Sequence, residues 1–310
     1  MKRPSDAVLA KAERALGALR KELEGAFGWT RLDVELELAA DDRGLLARGV
    51  VVAPRVAQRV AAALADVVPD DFRIDVSGLA PLRTGEWHEL AGEVTPVWQL
   101  HPSRKRLLAT ELLPEDGPVE LLAEHQGHHL IRGIDATVGW AGSGLGRRVP
   151  PPVIAEARGA ALGVVEAARA FLEVPYLLGG ATRSGIDCSA LVQRAFARGL
   201  GVRLPRHSTD QLAATLSTDP LDREMGDLVF AWTAREGPCH VGILVDADTP
   251  SVLHASLSRK RVIVDPLERF LDGAERSEIG SLTRVLDYHC SNLGRSTLEL
   301  VPDERELAAW

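Results

Sequence analysis

The chain has 310 residues, 45% of them hydrophobic and 26% charged, with a formal net charge of -8. That length holds two or three domains with at least one sizeable core, in a composition typical of globular proteins. The acidic balance argues against nucleic acid or an anionic membrane surface as the main partner.

The first apolar pattern, Leu9, Ala12, Leu16, Leu19 and Leu23, has helical spacing. Leu32 to Leu38 alternates strictly, as a half-buried strand does, and Val50-Val51-Val52 reads as a second strand after the turn at Gly44. Arg55 to Val67 predicts a helix, and Phe72 to Val76 a further strand. Residues 1–82 are therefore expected to form a small α/β domain without a catalytic constellation. From Leu90 to Gly142 the pattern changes to short β segments separated by turn signals, which predicts a small barrel over residues 83–145. His125, His128 and His129 fall in one turn of it and read as polar loop residues, not as ligands. A stretch of glycines followed by Pro150-Pro151-Pro152 forms the clearest linker. The third domain, residues 146–310, opens with a helical pattern from Val153 to Leu172.

Three cysteines, Cys188, Cys239 and Cys290, make no disulfide framework, and without a C-x-x-C pair no structural zinc site is expected. No cofactor or metal is implied. No apolar run approaches the roughly 18–20 residues of a membrane span. Met1-Lys2-Arg3 leads into a charged amphipathic segment, not an apolar signal core, so a cytoplasmic location is expected.

The chemistry concentrates around Cys188. It follows a glycine-rich loop, and Cys188, Leu191, Val192, Ala195 and Phe196 have helical periodicity. A thiol in the first turn of a helix faces unsatisfied backbone N–H groups and the positive end of the dipole, which favour a thiolate. Downstream, His240-Val241-Gly242-Ile243-Leu244 and Val252-Leu253-His254-Ala255 read as two strands of an antiparallel hairpin. The even separation of His240 and His254 puts both imidazoles on one face, with Cβ atoms within roughly 5–8 Å. The second ring can then fix the tautomer of the first, which serves the thiol. Alternation sends Cys239 to the opposite face, which removes it as a rival nucleophile.

Ordered segments carry a family resemblance: Pro175-Tyr176, Gly179-Gly180, Gly185-Ile186-Asp187-Cys188-Ser189, Leu204-Pro205-Arg206, Gly226-Asp227-Leu228, His240-Val241-Gly242-Ile243 and His254-Ala255-Ser256. Over about residues 153–270 the chain resembles the NlpC/p60 cysteine peptidases. Leu178 stands at the usual Trp before the glycine pair, and Ala190 at the usual Gly after Cys-Ser. Around Ala109-Thr110-Glu111-Leu112 and Val138-Gly139-Trp140 it resembles a bacterial SH3-like (SH3b) domain. The resemblance implies an α+β fold: a papain-like catalytic domain preceded by an SH3-like β-barrel and the N-terminal α/β module. It implies hydrolysis of cell-wall (murein) peptides, commonly between γ-linked D-Glu and a diamino acid. In that reading short peptides with a free N-terminal L-Ala are recycled in the cytoplasm. Cys188 would be the nucleophile, His240 the general base, His254 the orienting residue and Tyr176 an oxyanion donor. Asp187, Ser189, Arg206 and Ser208 would grip substrate, Arg206 through a carboxylate, and Glu111 would meet the substrate's ammonium. Amidases or acyltransferases of the same fold, and a non-catalytic wall-binding protein, are the alternatives.

Overall fold

The computed structural model describes residues 4–41, 43–101, 107–142, 144–153, 160–232 and 240–283. Cys239 and Cys290 lie outside the described residues, as do 154–159 of the helix expected from Val153.

Helix α1 (Pro4–Phe27) places Ala12, Leu16, Leu19, Leu23 and Phe27 on one buried stripe. The stripe covers a three-stranded sheet in which β1 (Leu32–Leu38) pairs antiparallel with β2 (Gly44–Val51). Helix α2 (Pro54–Ala65) then crosses over so that β3 (Arg73–Pro81) pairs parallel with β2. Pro54 suits the first helical turn, where its missing N–H costs no hydrogen bond.

Seven strands follow: β4 (Trp87–Leu90), β5 (Thr95–Trp98), β6 (Leu108–Leu112), β7 (Val119–His125), β8 (His128–Arg132), β9 (Val138–Ala141) and β10 (Leu145–Val149). They make one sheet in the order β10-β4-β7-β8-β9-β5-β6. Among the described residues its outer strands β10 and β6 do not pair with each other, so the expected closed barrel is not observed. The β6 end is instead occupied by the catalytic half: Glu111 accepts a hydrogen bond from Ala181 N–H at 2.9 Å, and Leu108 packs on Gly179. A sheet edge covered in this way needs no closure on itself. Leu122, Leu130, Val138 and Trp140 share a core with α1, α2 and the first sheet, whereas Leu90, Val97, Leu112, Val119, Ile131 and Ala141 form a second core. A buried pair, Arg132 on Glu120 at 2.8 Å, joins these layers; Arg132 also donates to Leu82 O, and Glu120 accepts from Thr84 and Gly85 N–H.

The last part starts with α3 (Ala161–Arg169), the short pair β11 (Ala181–Thr182) and β12 (Gly185–Ile186), α4 (Cys188–Leu200) and α5 (Ser208–Ala214). A six-stranded antiparallel sheet follows, ordered β13-β18-β14-β15-β16-β17. Its strands are β13 (Leu216–Thr218), β14 (Leu228–Trp232), β15 (His240–Asp246), β16 (Ser251–Ser256), β17 (Arg261–Pro266) and β18 (Arg276–Ser281), with α6 (Leu267–Phe270) after β17. On α4, Leu191, Ala195 and Phe196 are fully buried in the same core as Val241, Ile243, Leu253 and Ala255 of the sheet. This packing holds the N-terminus of α4 at the start of β15.

Candidate active site

Asp187 caps α4 from an extended backbone and accepts from Ala190 N–H at 2.9 Å, so Cys188 is the first helical residue. The same carboxylate accepts from Gly179 N–H at 2.9 Å and from both terminal nitrogens of Arg206 at 2.8 and 2.5 Å. Arg206 also donates to Ser189 Oγ at 2.9 Å, and Gln211 ties Ser189 O to Pro205 O. Gly179 adopts φ +78°, and a Cβ there would meet Leu108 O at 2.4 Å. The loop from Tyr176 to Asp187 is thus pinned at both ends.

Across the site, His240 Nε2 lies 2.8 Å from His254 Nδ1. The β15–β16 register sets Ile243 opposite Leu253 and Leu244 opposite Val252, so the two histidines are diagonal neighbours on one face. Gly242 lies between them, and a Cβ there would meet the Phe270 ring and His254 Cβ at 3.1 Å and Val252 at 2.4 Å. Phe270 stacks on His240 at 5.1 Å and meets His254 edge-on at 5.0 Å. Beyond His254, its Nε2 is 3.4 Å from Asp265 Oδ2.

Cys188 is partly exposed, and its sulfur accepts from Val241 N–H beside His240. Burial, with the charge of Asp187, pushes its thiol up to about 12, opposed by Val241 N–H and Arg206. Burial, with His254, pushes the His240 imidazole down to about 3. Desolvation thus opposes the thiolate that the helix end favours, and Val241 N–H and Arg206 act on the side of the helix end. Burial also raises the Tyr176 phenol, with the charges of Cys188 and Asp187 adding to it, so its O–H stays protonated as a donor.

The structure brings Cys188, Tyr176, Asp187, Ser189 and Arg206 together on one side and joins His240 to His254 on the other. Arg206, 3% exposed, spends its guanidinium on Asp187 and Ser189, so its carboxylate partner is internal. Ser208 opens α5 and is partly buried. Glu111 reaches the loop through one carboxylate oxygen, on Ala181 N–H. Phe270, Gly242 and Asp265 were not read from the sequence as parts of the site. The only trace of Asp265 there is an acid closing the run Val262-Ile263-Val264. Among the described residues, no group of three or more His, Cys, Asp or Glu is placed to hold a metal.

The α+β domain thus sets a helix-opening thiol, which accepts from Val241 N–H, next to the strand that carries one of two hydrogen-bonded imidazoles. Residues 173–271 match the NlpC/P60 family, and the chain carries a domain of that family. It is similar to the gamma-DL-glutamyl hydrolase of Bacillus subtilis, 37% identical over 126 residues, which are 40% of this chain and 29% of that protein. A probable endopeptidase of Haemophilus influenzae is 44% identical over 84 residues, 26% of this chain and 50% of that protein. The murein DD-endopeptidase MepS/murein LD-carboxypeptidase of Escherichia coli K12 is 39% identical over 90 residues, 29% of this chain and 46% of that protein. The chain spans half or less of the length of these relatives.

Proposed function

We propose that the chain is a cysteine peptidase of murein peptides, cleaving the bond between γ-linked D-Glu and a diamino acid in short peptides with a free N-terminal L-Ala. The observation that carries the reading is the 2.8 Å His240–His254 hydrogen bond, set on β15 and β16 beside the thiol that opens α4. Relatives named as murein endopeptidase and gamma-DL-glutamyl hydrolase support the substrate class.

In this mechanism the thiol proton passes to His240 Nδ1 as sulfur attacks the scissile carbonyl carbon. The oxyanion is met by the Cys188 N–H, which as a first-turn donor has no intrahelical acceptor, and by the Tyr176 O–H. Collapse breaks the C–N bond, and the imidazolium returns its proton to the leaving amine. Water, deprotonated by His240, then hydrolyses the thioester.

Asp187, Ser189 and Arg206 hold the nucleophile's loop and cap in this account, and the accessible side of that cluster with Ser208 receives the peptide. Glu111, fixed on Ala181 N–H, offers its second carboxylate oxygen to the substrate's ammonium. The sheet of residues 83–145, read as an SH3b-like module, then limits the length of peptide accepted. The test is incubation with L-Ala-γ-D-Glu-diamino acid under reducing conditions. Release of free diamino acid by wild type and its loss in Cys188→Ala are expected. No release by wild type, or undiminished release by the variant, overturns the reading.

A further inference from the structure

We propose that Asp265 is a positioning residue that sets the direction of the hydrogen bond between His254 and His240, and through it which nitrogen of His240 is free to take the thiol proton. The inference rests on the thiol–imidazole reading of the site but not on any particular substrate.

A neutral imidazole carries one N–H, so the 2.8 Å contact between His240 Nε2 and His254 Nδ1 holds one proton. Two arrangements satisfy it. If His240 donates through Nε2, its Nδ1 keeps a lone pair and can act as a base. If His254 donates through Nδ1, His240 carries its own proton on Nδ1 and cannot accept another from sulfur. Nothing within the histidine pair chooses between the two. The choice has to come from the far nitrogen of His254.

That nitrogen, Nε2, lies 3.4 Å from Asp265 Oδ2. The placement follows from strand register. His254 pairs with Ile263 across β16 and β17, and Asp265, two residues further along β17, lies on the same face. An ionised carboxylate only accepts, so its partner nitrogen has to bear the hydrogen. With the proton on Nε2, His254 Nδ1 is a bare acceptor, His240 donates to it, and His240 Nδ1 is left as the base. The aspartate acts two hydrogen bonds away from His240 and touches no reacting atom.

Two neighbours keep the arrangement in place. Arg269 Nε lies 3.8 Å from the other oxygen of Asp265, one helical turn along the chain. Phe270 lies flat on His240, with an interplanar angle of 24°, and edge-on to His254 at 88°. It thus packs against both imidazoles. The remaining charged or titratable groups that face the pair are Cys188 and Asp187 from the start of α4, with Arg206 behind Asp187. Among the described residues, Asp265 is the group that meets His254 Nε2 at hydrogen-bonding distance.

The test reads the ring nitrogens and the thiol without a peptide substrate. Histidine-labelled ¹⁵N spectra of the full chain are expected to show His240 and His254 both protonated on Nε2 at neutral pH. In Asp265→Ala, His254 loses that pure pattern. Alkylation of Cys188 by iodoacetamide, followed at the Cys188 peptide by mass spectrometry, falls roughly 10- to 100-fold at pH 7, by analogy with the loss on removing the outer carboxylate of a metal-binding imidazole. Asp265→Asn, which keeps an accepting oxygen, restores part of that rate, and Glu268→Ala leaves it at the wild-type value. An Asp265→Ala protein with unchanged ring protonation or unchanged Cys188 alkylation overturns the proposal. Should that variant fail to fold, the wild-type spectrum decides, because a proton on His254 Nδ1 is incompatible with it. Failure of the tripeptide assay leaves all of these readouts intact, so the two readings fail separately.

Discussion

Two buried ion pairs of the same chemical type serve different ends in this molecule. Arg132 and Glu120 join the seven-stranded sheet to the segment between β3 and β4, at Leu82 and Thr84. Arg206 and Asp187 are equally buried, but Asp187 caps the helix that Cys188 opens, and its charge reaches Cys188, Tyr176 and His240. Arg132 reaches Glu120 through one nitrogen and serves as scaffold, whereas Arg206 grips Asp187 through two and also sets the electrostatics of the site. Burial alone does not separate the two. What separates them is whether the carboxylate has a second task.

Substitutions can sharpen that contrast. The largest effect is expected from Cys188→Ala, which should lower product release by more than about 10³-fold, measured as free diamino acid, with stability little changed. Arg206→Ala should destabilise the fold by about 3–5 kcal/mol in denaturant titrations, because it leaves the buried Asp187 carboxylate without its counter-charge, and Arg132→Ala should cost less, because Arg83 still pairs with Glu120 at 3.4 Å. Only Arg206→Ala should also lower kcat per folded molecule. Equal losses of kcat in both variants would erase the distinction. Gly242→Ala should cost about 1–3 kcal/mol through overpacking against Val252, His254 and Phe270, with a fall in kcat as the histidine pair is displaced. The exposed pair Arg147–Glu89, by contrast, is screened by solvent, so Arg147→Ala should shift the unfolding midpoint little.

Titration offers a further comparison between folded site and unfolded chain. Both histidines have folded pKa values below the ordinary imidazole value. The unfolded chain therefore binds protons first as pH falls below 6.5, and stability should decline from there towards about 3. The thiol has the opposite sense: stability should be lost as pH rises from 9 towards about 12. Replacing His240 with Gln should flatten the acid limb, as read by unfolding midpoints across pH.

Much of the site was legible because it depends on local order. Helical periodicity after Asp187 places Cys188 at a helix start, and the parity of His240 and His254 places both rings on one face, as the β15–β16 register does. What escaped depends on tertiary placement. Arg206 looked available to a substrate carboxylate because its burial against Asp187 comes from the packing of two loops separated in sequence. Asp265 and Phe270 join the site only through the β16–β17 register and the short helix that follows. The shared core of Leu122 and Trp140 with the N-terminal helices, and the covering of the β6 edge by the catalytic half, likewise leave no periodic trace. Helix position favours an acidic thiol; desolvation, which the sequence does not display, works against it.

The central claim is that Cys188 carries the acyl group of a murein peptide. Acid-quenched mass spectrometry of wild type mixed with L-Ala-γ-D-Glu-diamino acid tests it most directly. The account predicts a thioester adduct of the L-Ala-γ-D-Glu acyl group on the Cys188 peptide, formed while diamino acid is released. Release of diamino acid at an undiminished rate by Cys188→Ala, with no adduct on wild type, would contradict it.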